Sequence, residues 1–286
     1  MKKVKALILR TAGTNCDYET QAAFELCGAS AERVHVNELI EKRDKVFEYD
    51  ILAFPGGFSY GDDIASGKIL ANEVKNKLGD KIKKFALSGR PIIGICNGFQ
   101  VLAKMGLLPD PKLFEQISTL SYNDSDKFEC RWVYLKTIKN EKLKMKNSKS
   151  VIARSNEVAT RQSRDEYLDS KCIWTKNLPD IITLPVAHGE GKFIPGDKKL
   201  LESLNKNGQI VFRYCTKDGN EPKYPLGPNG SVEQIAGICN ISGNVFGLMP
   251  HPERYVFALQ HPAREGFDGE YGWGKRIFQN AVNFVK

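Results

Sequence analysis

Apolar runs and segments of helical period alternate along the first hundred residues. Val4–Leu9, Tyr49–Phe54 and Pro91–Ile95 are apolar with little alternation, the pattern of strands covered on both faces. Ala31–Val36 is a further strand candidate. Tyr18–Cys27 has helical spacing and stops at Gly28; Gly98–Met105 has it and stops at Gly106. Ile64–Leu87 reads as a helix interrupted at Gly79. Strands alternating with helices predict an α/β fold, an open and mostly parallel sheet with helices on both faces.

Beyond Leu108 the texture changes. Trp132–Ile138, Ile181–Val186 and Ile210–Tyr214 read as strands, and residues 218–230 are rich in turn formers. Ile235–Cys239 and Asn244–Met249 predict a hairpin across Ser242-Gly243, and Gly274–Val285 a closing helix. Residues 139–178 are charged and weakly periodic, and residues 197–206 carry no motif. The expectation is one domain over residues 1–286, with an insertion at 139–178.

Composition narrows the class. A chain of 286 residues with 41% hydrophobic and 27% charged side chains can bury a full core. The seven cysteines contain no C-x-x-C pair, so neither a disulfide framework nor a metal site is expected. Apart from one candidate nucleophile they read as small buried hydrophobes. The apolar run after the first lysines is too short for a signal peptide, and no run reaches the length of a membrane span. A cytoplasmic protein is expected. The net charge of +8 is spread over scattered lysines without interleaved aromatics, so no nucleic-acid partner is expected.

The sharpest chemistry lies at Gly94-Ile95-Cys96-Asn97-Gly98. A buried strand runs into this segment and a helix leaves it, the arrangement of a nucleophile elbow with Cys96 in the nucleophile's place. A thiol at a helix N-terminus is favoured as thiolate. Such a nucleophile needs a proton shuttle. Of the four histidines, His35 and His261 read as structural or solvated. His188, in Ala187-His188-Gly189-Glu190-Gly191, is harder to dismiss. His251 is the best candidate, because Glu253 stands two residues on. Pro252 biases His251 toward an extended conformation, in which both side chains face one way and the carboxylate orients the ring. A second turn, Pro55-Gly56-Gly57-Phe58, follows a predicted strand, where ligands bind in such sheets. The N–H of Gly57 or Phe58, together with that of Asn97, is expected to form an oxyanion hole.

Together, Pro55-Gly56-Gly57, Gly94-Ile95-Cys96-Asn97-Gly98-Phe99-Gln100 and His251-Pro252-Glu253 resemble the class I, or triad, glutamine amidotransferases. Longer blocks sharpen this: Phe54 through Asp63, Asn123-Asp124-Ser125, Phe128 through Val133, Pro185 through Phe193, Pro228 through Ser231 and Gly247 through Arg254. They resemble the glutaminase subunits of phosphoribosylformylglycinamidine synthase. That resemblance implies a flavodoxin-like amidotransferase fold. It implies that Cys96 attacks the glutamine side-chain amide, that His251 moves the protons and that Glu253 holds His251 in its working tautomer. It also implies that Gln100 touches the bound glutamine and that His188 and Glu190 line the glutamine pocket or the partner face. The released ammonia would pass to a large synthetase subunit, with a small subunit bridging the two, for the ATP-dependent conversion of formylglycinamide ribonucleotide to its amidine in purine biosynthesis. No cofactor is expected on this chain, with ATP and Mg on the synthetase.

Two rival readings remain. One is another cysteine-elbow hydrolase, against which stands Asn97 where such enzymes often have a histidine. The other is an assembly subunit without chemistry, against which stand the intact Cys96, His251 and Glu253.

Overall fold

The computed structural model describes residues 3–139, 170–266 and 268–286. Its centre is a nine-stranded sheet. The strands are β1 (Lys5–Arg10), β2 (Ser30–His35), β3 (Ile51–Phe54), β4 (Ile92–Ile95), β6 (Glu129–Thr137), β7 (Ile181–His188), β9 (Ile210–Cys215), β10 (Ile235–Cys239) and β11 (Val245–Leu248). Their order is β2-β1-β3-β4-β11-β10-β9-β6-β7. The first five run parallel and the rest join antiparallel. A separate ribbon pairs β5 (Ser118–Ser121) with β8 (Lys192–Pro195).

Consecutive residues of β3, β4 and β11 are all buried, because helices cover both faces of the parallel half. Helix α1 (Asp17–Leu26) packs against the last helix, α6 (Trp273–Val285), with Phe24 edge-on to Phe278 at 4.9 Å. Helix α3 (Lys68–Leu87) packs with α4 (Asn97–Lys104). Two shorter helices, α2 (Val36–Glu41) and α5 (Lys198–Lys206), complete the set. Helix α5 occupies the segment whose sequence carries no motif; its start is capped by Asp197, whose carboxylate accepts the Leu200 N–H at 2.7 Å.

Two sequence expectations shift. The helix expected from Ile64 begins at Lys68, because Tyr60, Gly61, Asp62 and Gly67 all have positive φ and cannot continue a right-handed helix. Gly79 does not interrupt α3; a Cβ there would lie 3.0 Å from the Phe114 ring, so the glycine admits that side chain. Of the segment expected as an insertion, residues 140–169 lie outside the described residues. Its described end, 170–178, packs inward: the Trp174 indole donates to the Asn244 carbonyl at 3.1 Å, and Asn280 of α6 donates to the Trp174 carbonyl at 2.9 Å.

Register positions the site. Ile95 of β4 lies opposite Leu248 of β11, and Gly94 opposite Phe54 of β3, all in parallel. The chain therefore leaves β3 at Pro55, β4 at Cys96 and β11 at Met249 along one edge of the sheet.

Candidate active site

Cys96 sits where β4 turns into α4, with φ 50° and ψ −107°. A non-glycine residue held there costs about 1–3 kcal/mol, which the surrounding structure must supply. Two contacts fix it: its N–H donates to the Leu248 carbonyl at 2.8 Å, and its Sγ lies 3.5 Å from the Ala187 carbonyl. The flanking glycines are steric requirements. A Cβ on Gly98 would stand 1.9 Å from the Phe54 carbonyl oxygen, and one on Gly94 would stand 2.6 Å from that of Gly98. The elbow expected from the sequence is present, and the thiol is 5% exposed.

His251 and Glu253 are both buried, and Nδ1 lies 2.6 Å from the Glu253 carboxylate. The pair meets in a different way from the one the sequence suggested. His251 is extended, but Pro252–Arg254 form a single 3-10 turn that brings the carboxylate back onto the ring. Proline at the first position of a helical turn is favoured as much as an extended residue before it, and here both occur. The His251 N–H is held by the Pro185 carbonyl at 2.8 Å. Burial works against charge on the ring. The Glu253 carboxylate and the Cys96 sulfur outweigh it, with Cys16 adding to them, and hold the imidazole well above its ordinary pKa. Nε2 is buried with no hydrogen-bond partner among the described residues, which leaves it for chemistry.

Of the three amides considered for an oxyanion hole, that of Phe58 is engaged, donating to the Gly13 carbonyl at 2.9 Å. The N–H groups of Gly57 and Asn97 have no backbone acceptor among the described residues. Gly57 has φ 140° and lies against Thr14; a Cβ on it would meet the backbone of Gly13 and Asn15 at 2.7 Å.

Gln100, His188 and Glu190 cluster beside the thiol, but their polar atoms are largely committed to the protein. Gln100 donates to the Glu190 carbonyl at 2.6 Å and accepts from the Asn97 side chain at 3.0 Å. The Glu190 carboxylate takes the Ser66 N–H at 3.1 and 3.2 Å. Asp62 accepts from Asn97 at 3.0 Å and from the Ser66 hydroxyl at 2.8 Å. This buried network ties the start of α4 to the irregular loop before α3. His188 lies within 3.1 Å of the Asn123 amide oxygen. Burial first, and then the neighbouring His251, pull its pKa down to about 3, so it stays neutral. A cleft of about 620 Å³ opens nearby between Asp124, Lys127, Tyr224 and Asn229, and none of Cys96, His251 and Glu253 lines it.

Sequence reasoning passed over Cys16, reading it as a small buried hydrophobe. It is buried, but its sulfur accepts from the Arg254 guanidinium at 3.1 Å and lies beside His251 and Glu253. Asp62 and Ser66 were also missed as supports; the glycines around them were the only local signal.

Residues 3–159 and 143–285 match the family described as the CobB/CobQ-like glutamine amidotransferase domain. The phosphoribosylformylglycinamidine synthase subunit PurQ of Dehalococcoides mccartyi is 47% identical over 290 residues, covering 100% of this chain and 99% of that protein. The protein of the same name from Methanococcus maripaludis is 44% identical over 262 residues, covering 90% of this chain and 85% of that one. In the solved structure of PurLQS from Thermotoga maritima, a chain 31% identical superposes with a TM-score of 0.68 over 100% of both chains.

Proposed function

The chain belongs to the CobB/CobQ-like glutamine amidotransferase family, and from that premise we propose how its side chains act as the glutaminase subunit of phosphoribosylformylglycinamidine synthase. It works with the PurL and PurS subunits in purine biosynthesis. Glutamine binds with its side-chain carbonyl carbon against Cys96. His251 carries the thiol's proton on Nε2, pairing as imidazolium with the Cys96 thiolate, and the sulfur adds to the amide carbon. The negative oxygen that forms is held by the Gly57 and Asn97 N–H groups. His251 returns the proton to the leaving nitrogen, and ammonia departs to leave a γ-glutamyl thioester. A water gives up a proton to the same nitrogen, attacks the thioester and releases glutamate and the thiol. Glu253 keeps the proton on Nδ1 and balances the charge of the imidazolium.

One observation carries the mechanism: a buried imidazole with one nitrogen 2.6 Å from a carboxylate and the other unpartnered, in reach of a sulfur on a strained elbow. The nearly closed thiol and the engaged Phe58 amide support low turnover by the chain alone and a rise when its partners bind. ATP and Mg belong to the partner synthetase in this reading, and none of the proposed steps needs a metal or cofactor on this chain. No helix among the described residues is long and apolar enough to cross a membrane; the reading places the chain in the cytoplasm.

The test is to treat the assembled complex with an electrophilic glutamine analogue and map the modified peptide by mass spectrometry. Label on Cys96, blocked by glutamine, is expected. Cys96→Ala should lower glutamate production by about 10⁴-fold or more. Turnover within tenfold of wild type in that variant would remove Cys96 from the reaction.

A further inference from the structure

Cys16 lies just beyond the edge from which the reacting groups emerge, between β1 and α1, and is 1% exposed. Its Sγ accepts from Arg254 Nη2 at 3.1 Å and lies 3.3 Å from the Asn15 side-chain oxygen. The Cys16 sulfur, a ring nitrogen of His251 and a carboxylate oxygen of Glu253 all fall within 4.8 Å of one another. Gly56 closes this layer: a Cβ there would stand 2.8 Å from His251 Cε1 and 3.2 Å from Cys16 Sγ. Glu253 and Arg254 are neighbours of opposite charge, yet no ion pair joins them among the described residues. The guanidinium is turned to Cys16 and to Glu19, 3.4 Å away.

The Glu253 side chain is fully buried, and the neighbouring guanidinium would be drawn to its carboxylate if nothing else engaged the cation. Such a pair would spend the carboxylate on Arg254 and weaken its hold on His251. A thiolate at Cys16 would pair with Arg254 in its own right; a neutral sulfur accepts only weak hydrogen bonds, here from Arg254 at 3.1 Å. Burial keeps this thiol protonated, with a pKa of about 11.

We propose that Cys16 is a positioning residue for glutamine hydrolysis: its neutral sulfur keeps Arg254 off Glu253 and seats the His251 ring against Cys96. The proposal rests on the glutaminase reading above. The charged and titratable groups around His251 are Glu253 and Arg254 on its own segment, Cys96 after β4, Cys16 before α1 and His188 at the end of β7. Among these, Cys16 both accepts from the guanidinium at 3.1 Å and lies within 4.8 Å of a Glu253 carboxylate oxygen.

The test is the pH profile of glutamine hydrolysis by the assembled complex carrying Cys16→Ala or Cys16→Ser. In Cys16→Ala, Arg254 can relax toward Glu253 and the ring loses a sulfur acceptor. Both changes make imidazolium easier to deprotonate. The alkaline limb should move down by about one pH unit, the size of one hydrogen bond to a charged group. The turnover number should fall about tenfold, with KM for glutamine unchanged. Cys16→Ser keeps a neutral donor and acceptor and should restore most of both. Adding Arg254→Gln to Cys16→Ala should recover part of the limb, because the competing charge is gone.

An unmoved limb in Cys16→Ala would overturn the proposal. So would equal losses in the Ala and Ser variants with no change in profile, which is the signature of packing alone. Labelling of Cys96 by the glutamine analogue separates this from the wider reading. A labelled wild type with unresponsive Cys16 variants defeats only the role of Cys16. A wild type that takes no label on Cys96 defeats the glutaminase reading and this proposal with it.

Discussion

The parallel and antiparallel halves of the sheet supply different things to the same site. From the parallel half, β3, β4 and β11 end side by side and release Gly57, Cys96 and His251, with Cys16 close behind β1. In parallel strands all carboxyl ends lie on one edge, so residues far apart in sequence converge there without long detours. The antiparallel half delivers a wall. From β7 and the turn after it come the Pro185 and Ala187 carbonyls, neutral His188, and Glu190 with its carboxylate spent on the Ser66 N–H. The groups proposed to move protons and form bonds come from one half. The other half adds supports to those the parallel edge supplies itself: the Pro185 carbonyl on the His251 N–H and the Ala187 carbonyl beside the Cys96 sulfur.

The strongest test of that division is Glu253→Gln. The amide keeps the volume and can still accept from Nδ1, but it loses the charge that offsets burial of the imidazolium. Turnover should fall about 10⁴-fold, in line with neutralising the orienting carboxylate of other triads, and the alkaline limb of the profile should drop. Rates within tenfold of wild type would remove Glu253 as orienter and leave the parallel edge without its proton relay.

A smaller effect is expected from Glu190→Ala on the wall. The substitution leaves the buried Ser66 N–H without an acceptor, a loss of about 1–3 kcal/mol, and frees the loop that leads into α3. Urea unfolding should report that loss. Catalytic efficiency should fall about tenfold, through KM more than through turnover. A loss in turnover as deep as that of Glu253→Gln would place Glu190 among the reacting groups and erase the distinction between the halves.

The parallel half was also the more legible from sequence, and for a related reason. Strands buried on both faces read as unbroken apolar runs, so β1, β3 and β4 could be placed to within a few residues, and the elbow followed from the glycines around Cys96. The hairpin of β10 and β11 was announced by Ser242-Gly243, where Gly243 has φ 78°. Helix α5 and the β5–β8 ribbon were not read; they are short, and each is held by tertiary contacts that periodicity cannot report. The His251–Glu253 pairing was foreseen, while the turn that makes it was not, because Pro252 is compatible with either backbone. Cys16 escaped because a buried thiol looks the same in sequence whether it packs against leucine or arginine. The commitments of Gln100 and Glu190 to Ser66 and Asn97 depend on a loop with three consecutive left-handed residues, Tyr60, Gly61 and Asp62, of which only the glycine signals itself.

The two halves should also differ in how pH loosens them. His188 on the wall remains neutral in the folded protein down to about pH 3, whereas in the unfolded chain it takes up a proton near its ordinary value of about 6.5. Between those limits the unfolded state binds the extra proton. Stability from this group is therefore complete above about pH 6.5 and is lost as pH falls, at about 1.4 kcal/mol per unit. His251 on the parallel edge runs the other way. Its folded pKa is raised, so its contribution is complete below about 6.5 and is lost as pH climbs through the folded value. His188→Gln should flatten the wild-type decline in unfolding free energy between pH 6 and 4, by about one proton's worth of slope, while leaving the alkaline side alone. His251→Gln should do the reverse. Carboxylates elsewhere add to the acid slope of every form equally, so the difference between wild type and variant is the quantity to read from urea titrations. An acid slope identical in wild type and His188→Gln would mean that His188 charges in place, and that the wall is not the neutral support its burial beside His251 makes it.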